Sequence, residues 1–268
     1  MDLEAFKAKF NFDPALSLHL GIEREAFIVN GTGKIAPKAE HLLKVMHGPY
    51  PMTEFGRPID EEQRFSYELS ACQIEGRTKP RTLQRLSAEL RRCDEILALG
   101  MQHIDCRVLH QEVGPADMPL DVFNDPTGRY QAITAGMERD TLLAACRLTG
   151  THVHVGMPDH ETAMRVHNRV IKHTRRLCAL GDRSRGERIR IYEAMNPDCM
   201  PEPFADWNDF HRFAEERMYT EDPRRCWRWV RISVRGTIEF RMFGTTDSSE
   251  EVFGWACECH RLCEEAMV

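Results

Sequence analysis

The sequence lacks several features that would assign it to a common class of protein. No apolar stretch approaches the roughly 20 residues that span a bilayer, and the first residues lack the apolar core of a signal peptide. The glycine patterns of dinucleotide-binding and P-loop proteins are absent. With a formal net charge of -6, the chain also lacks a basic field for nucleic acid or membrane surfaces. We therefore expect a cytoplasmic protein whose partners are small molecules.

The ten cysteines lack the spacing of a zinc site. The closest grouping, Cys257, Cys259 and Cys263, falls in a segment with a helical pattern and has no partner ligands at zinc-site spacing. None of the ten stands beside an evident base that would activate a nucleophile. The sequence therefore predicts reduced thiols that are mostly small buried hydrophobic residues.

No long linker, low-complexity tract or repeat divides the 268 residues, and 42% of them are hydrophobic. We therefore expect a single domain over 1–268 with a sizeable core. Patterns of period two predict strands over 18–29, 104–109, 226–234 and 237–243. Helical patterns cover 37–46, 82–103, 130–137, 159–180, 206–218 and 248–266. Strands joined by hairpins, with helices on one side, predict an α+β fold built on an antiparallel sheet.

Three short runs alternate ionisable residues with apolar ones, so each would form a strand with one charged face and one apolar face. Strands whose charges simply face water are the commoner use of this pattern. Solvent faces favour lysine, threonine and mixed charges, however, whereas these runs hold residue types that bind metals or phosphate. Together they predict a floor of charged groups in one sheet. The alternating residues are Glu23 and Glu25, His152 and His154, and Glu239 and Arg241.

Five segments carry a family resemblance. They are 21–25, Glu68 and Glu75 with 78–80, 150–156, 200–204 before Trp207, and 237–241. As a set and in this order, they resemble the glutamate–cysteine ligase type 2 family of carboxylate–amine ligases, grouped with glutamine synthetase and guanidino kinases. The resemblance implies a curved antiparallel sheet, a half-funnel with helices packed on its outer face, that holds metal-bound ATP.

The resemblance also implies roles for single residues. Oxygen-rich ligands with one histidine suit Mg²⁺, or Mn²⁺, better than zinc. Glu68 and Glu75 are an odd number of residues apart, so an unbroken strand would place them on opposite faces, and a bulge or turn must intervene. The implied metal ligands are Glu23, Glu25, Glu68, Glu75, His152 and Glu239, and Arg241 is the implied phosphate contact.

Two further sets of residues leave alternatives open. His154 is either a partner of a metal ligand or a solvent-facing residue, and spare polar groups on antiparallel faces favour the second. One arginine of the run 183–190 is expected to bind ATP, with Arg190 as the candidate, although charge runs are usually solvated faces. The run contains Arg183, Arg185, Arg188 and Arg190.

The function implied by the resemblance is ATP-dependent, magnesium-requiring joining of a carboxylate, expected to be glutamate, to cysteine or another amine through an acyl phosphate. One alternative is a phosphotransferase of the guanidino-kinase type. The other is a degenerate nucleotide- or metal-binding regulator. Because the chain ends soon after Arg241 whereas family members are longer, we expect site closure to be incomplete or supplied by another subunit of a homo-oligomer.

Overall fold

The computed structural model describes residues 1–49 and 57–268. In this part of the chain, seven strands form one open antiparallel sheet in the order β2-β3-β1-β5-β7-β6, and β4 also pairs with β1. The predicted α+β fold with an antiparallel sheet is confirmed. The strands are β1 (Leu20–Asn30), β2 (Phe65–Tyr67), β3 (Gln73–Arg77), β4 (Cys106–Leu109), β5 (Thr151–Gly156), β6 (Val230–Ser233) and β7 (Thr237–Phe243).

Helices precede, separate and follow these strands. Their bounds match the predicted helices approximately, with the exceptions described below. The helices are α1 (Leu3–Lys7), α2 (Ala39–His47), α3 (Leu83–Met101), α4 (Arg129–Thr134), α5 (Arg139–Cys146), α6 (His160–Val170), α7 (Thr174–Gly181), α8 (Glu187–Met195), α9 (Trp207–Glu216) and α10 (Ser249–Met267).

The apolar face of the sheet, called the outer face here, is covered by helices. Strand β1 contributes Leu20, Ile22 and Ala26, all buried, and α10 packs against β1, β5, α3 and α6. Arg24 interrupts this apolar stripe, but its guanidinium donates to Asp94 on α3 and to the Thr246 carbonyl just before α10. These bonds satisfy a buried charge and tie both helices to the central strand.

Several predicted elements differ from those observed. The helix predicted over 159–180 is divided into α6 and α7 by the short 3-10 turn Ile171–His173. Helix α4 ends at Thr134 because Gly136 has a positive φ of 81°, which favours glycine and ends helices. Helices α1, α5 and α8 were not predicted, since α1 and α5 are short and α8 begins in the arginine-rich run. No helix within the described ranges is both long and apolar enough to cross a membrane.

Candidate active site

The inner face of the sheet, opposite α3 and α10, forms the floor of a cavity of about 1330 Å³. Residues from α2, such as Glu40 and Lys44, line one wall. The segment 121–130, which includes Phe123 and Tyr130, and Trp227 before β6 line other walls. Pockets that bind drug-sized ligands have volumes of about 300 to 1,000 Å³, so this cavity has room for a nucleotide together with a smaller substrate.

Strand register brings the three predicted charged runs together on this floor. Glu23 on β1 pairs with His152 on β5, and the next residue on the same face, Glu25, pairs with Glu75 on β3. Directly paired residues in antiparallel strands project from the same face. Glu239 on β7 completes the row through its pairing with the neighbouring residue of β5 on that face. The predicted floor of carboxylates and imidazoles is therefore a single surface.

Two overlapping groups of side chains on this floor could each hold a metal ion. One consists of Glu23, His152 and Glu239, and the other of Glu25, Glu75 and His152. Within each group, the candidate ligand atoms lie within 4.8 Å of one another. His152 links the groups, because its Nδ1 lies 3.0 Å from Glu23 Oε2 and its Nε2 lies 3.5 Å from Glu25 Oε1.

A connection between β2 and β3 explains how Glu68 and Glu75 reach the same face of the sheet although they are an odd number of residues apart. Strand β2 ends at Tyr67 and β3 begins at Gln73, so Glu68 lies in the connection and Glu75 within β3. Glu68 and Glu75 share a hydrogen bond, and both line the main cavity. The interruption expected from the odd spacing is present, and it lets both carboxylates reach the same face.

Two of the carboxylates have low pKa values because cationic groups surround them. Burial alone would raise the pKa of Glu23, but the charge of His154 and hydrogen bonds from both histidines hold it well below 4.5. Burial would also raise the pKa of Glu239, which is fully buried. The charges of the Arg231 and Arg241 guanidinium groups outweigh the effect of burial, and the pKa of Glu239 is therefore also well below its usual value.

The other three carboxylates have raised pKa values because they are buried beside one another. Burial, followed by the charge of Glu75, raises the pKa of Glu25 to about 7. Burial and the charge of Glu25 raise the pKa of Glu68 to about 7 as well. Burial, with Glu23 and Glu68 nearby, raises the pKa of Glu75 well above 4.5. This side of the floor holds carboxylates without enough positive charge to keep them all ionised.

His152 is neutral near pH 7, since burial and the charge of Arg241 lower its pKa to about 4. A neutral imidazole is the form that binds metals. Arg241 itself lies between Glu239 and His152, with its Nη1 3.5 Å from His152 Nδ1. The Arg241 side chain lines the cavity and is 16% exposed, so an anion in the cavity can contact its guanidinium.

The structure corrects the expectation that His154 faces solvent. Its side chain is only 6% exposed, its Nδ1 lies 2.8 Å from Thr237 Oγ1, and its Nε2 lies 3.4 Å from Glu23 Oε2. Strands on both sides of β5 enclose it, because β5 lies inside the sheet. His154 therefore belongs to the floor of the cavity.

The arginine run at the start of α8 is not brought to the cavity as a group. Among its members only Arg188 lines the cavity, and its guanidinium donates to the backbone carbonyls of Thr149, Met242 and Arg241. Arg190, the candidate for ATP binding, is exposed, and its contact is with the Arg185 carbonyl. Arg190 therefore does not line the cavity with Arg241, the other candidate for ATP binding.

Sequence reasoning missed three residues of the floor. Arg231 on β6 makes a two-point contact with Glu239, at 2.7 and 2.9 Å, and Arg235 at the β6–β7 turn lies 2.7 Å from Glu23 Oε1. The Gly150 amide donates to Glu25 Oε2 at 2.7 Å. The alternation of Val230, Arg231 and Ile232 resembles the three runs already identified, so Arg231 could have been found. The contacts of Arg235 and Gly150 depend on the folded chain.

The residues present fit a divalent cation such as Mg²⁺. Carboxylates dominate the donor set, with one neutral imidazole, which matches the preference of Mg²⁺ and Mn²⁺ for oxygen. The raised pKa values of Glu25 and Glu68 reflect excess negative charge that a cation would neutralise. The second group, Glu25 with Glu75 and His152, fits a divalent cation best, because no arginine contacts Glu25 directly among the described residues.

Comparisons with known proteins are consistent with one family. A family model described as glutamate-cysteine ligase family 2 matches residues 19–243. A putative glutamate–cysteine ligase 2-1 of Rubrobacter xylanophilus is 28% identical over 250 residues, which cover 83% of this chain and 60% of the relative. A glutamate–cysteine ligase of Natronomonas pharaonis is 26% identical over 243 residues, or 83% of this chain and 62% of the relative.

A solved structure shares the fold. The bifunctional glutathione synthetase from Pasteurella multocida superposes with a TM-score of 0.59 at 11% sequence identity, covering 93% of this chain and 40% of that one. The chain spans between 60% and 65% of the length of the first three curated relatives it matches.

Proposed function

Because the chain belongs to the glutamate-cysteine ligase family 2, we propose that it is an ATP-dependent ligase that joins a carboxylate to an amine. The proposed acid is glutamate, and the acceptor is cysteine or another amino compound. The proposed metal is Mg²⁺, with Mn²⁺ as a possible replacement. We also propose that the sheet is related to those of glutamine synthetase and guanidino kinases.

One observation carries this proposal. Five carboxylates, a neutral histidine and an arginine share one face of the sheet inside a cavity that can hold a nucleotide and a second substrate. Transfer of a γ-phosphoryl group needs carboxylate-held cations and a fixed arginine near the phosphate oxygens. The two ligand groups linked by His152 supply the first requirement, and Arg241 supplies the second.

The proposed reaction has two steps. A carboxylate oxygen of the acid attacks the γ-phosphorus of ATP, the bond to the bridging oxygen breaks, and ADP leaves. The amine then attacks the carbonyl carbon of the acyl phosphate, and inorganic phosphate leaves with one former carboxylate oxygen. The amine loses a proton as the amide forms. Activation is needed because amide formation from a carboxylate and an amine is uphill in water.

Residues of the chain have separate roles in this scheme. The carboxylates of Glu23, Glu25 and Glu75, with His152, would hold Mg²⁺, and the metal supplies positive charge that screens the two anionic substrates from each other. Arg241 binds the transferring phosphoryl group, since a guanidinium matches phosphate oxygens in two-point contacts. Arg231 holds Glu239 and thereby orients Arg241.

Oxygen labelling tests the proposal directly. The acid is prepared with ¹⁸O in its reacting carboxylate and incubated with ATP, Mg²⁺ and a panel of amines that includes cysteine and hydroxylamine. We expect ADP as the nucleotide product and ¹⁸O in inorganic phosphate only when an amine is present. Mass spectrometry of the phosphate gives the readout.

Other outcomes assign other functions. Unlabelled phosphate would indicate simple ATP hydrolysis, and AMP with pyrophosphate would indicate adenylation. A stable phosphorylated acceptor without amide would indicate a phosphotransferase of the guanidino-kinase type. Binding of Mg-ATP without turnover of any acid or amine would indicate a regulatory protein. Each of these results contradicts the ligase proposal.

A further inference from the structure

Tyr192 on α8 lines the main cavity beside Arg241, and none of the roles assigned above uses it. The residue is only 7% exposed, so its hydroxyl group needs partners within the protein. Arg188 lies four residues earlier on α8, and residues four apart on a helix share one face. Arg188 donates to the Met242 carbonyl on β7. Helix α8 therefore presents both side chains to the strand that carries Arg241.

A stacked aromatic neighbour holds the ring of Tyr192. It packs on the Trp229 ring, with the ring centroids 4.0 Å apart and an angle of 26° between the planes. Trp229 is fully buried, and its carbonyl accepts a hydrogen bond from the Arg241 amide. Stacking restricts the orientation of the Tyr192 ring, so the hydroxyl group has a defined position relative to Arg241.

The single proton of the Tyr192 hydroxyl group decides the direction of its hydrogen bonds. The hydroxyl donates to the Trp227 carbonyl at 2.8 Å, and it also shares a hydrogen bond with the Arg241 side chain. Because a guanidinium has donors only, Arg241 donates and the Tyr192 oxygen accepts. Burial raises the pKa of Tyr192, so the hydroxyl keeps its proton for the Trp227 carbonyl near pH 7.

The contact with Tyr192 restrains the Arg241 guanidinium from outside the sheet. The contacts with Glu239 and His152 both involve Nη1 of Arg241. A planar group that is held at one nitrogen can still rotate about it, and a further contact from another element opposes this rotation. Recognition of phosphoryl oxygens at two points needs a guanidinium plane that is set before the phosphate arrives.

We propose that Tyr192 is a positioning residue for phosphoryl transfer, because it holds the Arg241 guanidinium in the plane that matches the phosphoryl oxygens. In this role Tyr192 acts through Arg241 and does not contact the transferring group itself. The proposal rests on the proposed function, in which Arg241 is the phosphate contact. It adds a support from α8 to the one that Arg231 provides through Glu239.

Tyr192→Phe tests the role of the hydroxyl group, because the ring and its stacking on Trp229 remain. We expect kcat to fall by about ten- to a hundredfold, since a displacement of about 1 Å in a positioned group can cost a hundredfold. KM for ATP should change by less than about twofold, because the charge of Arg241 is retained. Steady-state kinetics with varied ATP gives both values, and circular dichroism melts establish that the variant is folded.

A double-variant cycle separates positioning of Arg241 from a purely structural effect. In an Arg241→Lys background, Tyr192→Phe should lower kcat further by less than about twofold, because the group that Tyr192 positions is already absent. Full multiplication of the two single effects in the double variant would overturn the proposal, since Tyr192 would then act without Arg241.

Asn196→Ala is the matched control. The Asn196 side-chain amide donates to the same Trp227 carbonyl, at 2.7 Å. Its removal takes a hydrogen bond from that carbonyl and leaves the contact between Tyr192 and Arg241 in place, so kcat should stay within about twofold of the parent. Equal losses of kcat in Asn196→Ala and Tyr192→Phe would assign the effect to the Trp227 carbonyl and overturn the proposal.

Binding of a phosphoryl analogue tests the role of Tyr192 without turnover. ADP with Mg²⁺ and aluminium fluoride imitates the transferring phosphoryl group, and calorimetric titration of the whole chain with this mixture needs neither acid nor amine. We expect Tyr192→Phe to weaken binding of ADP with aluminium fluoride by about tenfold, because the contact is optimal only for the transition state. Binding of ADP and Mg²⁺ without aluminium fluoride should be the same in parent and variant.

The results of the binding and labelling experiments distinguish the two proposals. Weaker binding of the analogue by Tyr192→Phe, without amide formation in the labelling experiment, would support the role of Tyr192 and contradict the ligase. Amide synthesis with the same kcat in the parent and in Tyr192→Phe would support the ligase and overturn the role of Tyr192. Equal binding of the analogue by parent and variant, or no binding by the parent, would also overturn that role.

Discussion

The carboxylates of the inner face differ in charge state because their neighbours differ. Glu23 and Glu239 lie among histidines and arginines and are ionised, whereas Glu25, Glu68 and Glu75 crowd together and retain protons near pH 7. Replacement of a glutamate by glutamine should therefore have different effects on stability at different positions, although all are expected to lower turnover.

Glu25→Gln should reduce turnover by about a hundredfold or more, because a metal ligand contributes several kcal/mol to the transition state. The free energy of unfolding without metal should stay the same or increase, since glutamine resembles the protonated carboxyl that burial already favours. Steady-state kinetics and urea unfolding measure the two quantities. Full activity of this variant would remove Glu25 from the site.

Glu239→Gln should lose both activity and stability. The carboxylate holds Arg231 and Arg241, and removal of one member of a buried ion pair costs about 3 to 5 kcal/mol. Glu23→Gln, whose arginine partner is half-exposed, should lose activity with a smaller loss of stability. Equal stability of all three glutamine variants would contradict the charge states described here.

Arg241→Lys should be strongly impaired in turnover while binding of ATP changes less. Lysine keeps the charge but cannot make the two-point contact with a phosphoryl group. We expect kcat to fall by about a hundredfold, with a small change in KM for ATP. Parental kinetics in this variant would move the phosphate contact to another arginine.

At the scale of elements, Arg188 on α8 stabilises an irregular pairing of β5 with β7. The register shifts between Thr151 and Val153, so β7 has an extra residue there. The bulge lies opposite His152 and includes Arg241. Arg188 donates to the Thr149 carbonyl just before β5 and to the Met242 carbonyl within the bulge, and it leaves little room at Gly150, where a Cβ would lie 2.3 Å from its Nη2.

Arg188→Met should therefore lower the free energy of unfolding by about 3 kcal/mol or more, because several buried carbonyls would lose their donors at about 1 to 3 kcal/mol each. Activity should fall as well, since Arg241 and His152 would shift. Arg190→Met is the matched control, because Arg190 is exposed, and its stability should change by less than about 0.5 kcal/mol.

These two variants also test the prediction that Arg190 binds ATP. A rise in KM for ATP in Arg190→Met, at unchanged stability, would support that prediction. An unchanged KM would assign the phosphate contacts to the arginines of the floor instead. Chemical denaturation and initial rates with varied ATP provide both measurements.

For the whole molecule, stability and metal binding should be linked through pH. In the folded state Glu25 and Glu68 titrate near pH 7, above their ordinary value of 4.5. Their contribution to stability is thus fully present below pH 4.5 and is lost as the pH rises to about 7, because the unfolded chain loses its protons first. Bound Mg²⁺ favours the ionised forms and opposes this loss.

We therefore expect Mg²⁺ to raise the melting temperature by several degrees more at pH 8 than at pH 5.5, since a change of 1 kcal/mol shifts Tm by about 2 to 4 °C in a chain of this size. Differential scanning calorimetry in both buffers measures the effect. Glu25→Gln should lose most of it. A stabilisation by Mg²⁺ that does not depend on pH would contradict the linkage.

The nine buried cysteines should be unreactive as long as the molecule is folded. All except Cys257 are buried, and burial raises the pKa of Cys72 to about 11 and of Cys93 to about 12. A thiol reagent should modify Cys257 first and leave activity intact, whereas the unfolded chain should release ten thiols. Loss of activity that follows modification of a single cysteine would contradict this prediction.

Local patterns were sufficient to predict the strands of the site. Alternation at Glu23 and Glu25, at His152, and at Glu239 and Arg241 identified one face of each strand, because the period of two is a property of the extended backbone. The odd spacing of Glu68 and Glu75 likewise required a break in the strand. Helices α1, α5 and α8 were missed, since their helical character depends on packing more than on local periodicity.

Sequence by itself determined which residue types line the inner face, the order of the strands along the chain and the family to which the chain is similar. Tertiary structure alone decided how strands distant in sequence pair. Pairing determined the burial of His154, the contacts of Arg231 and Arg235 with Glu239 and Glu23, and the use of Arg188 on backbone carbonyls. The physical reason is that charge state, burial and cavity shape depend on distances between side chains, and these distances exist only when the sheet has formed.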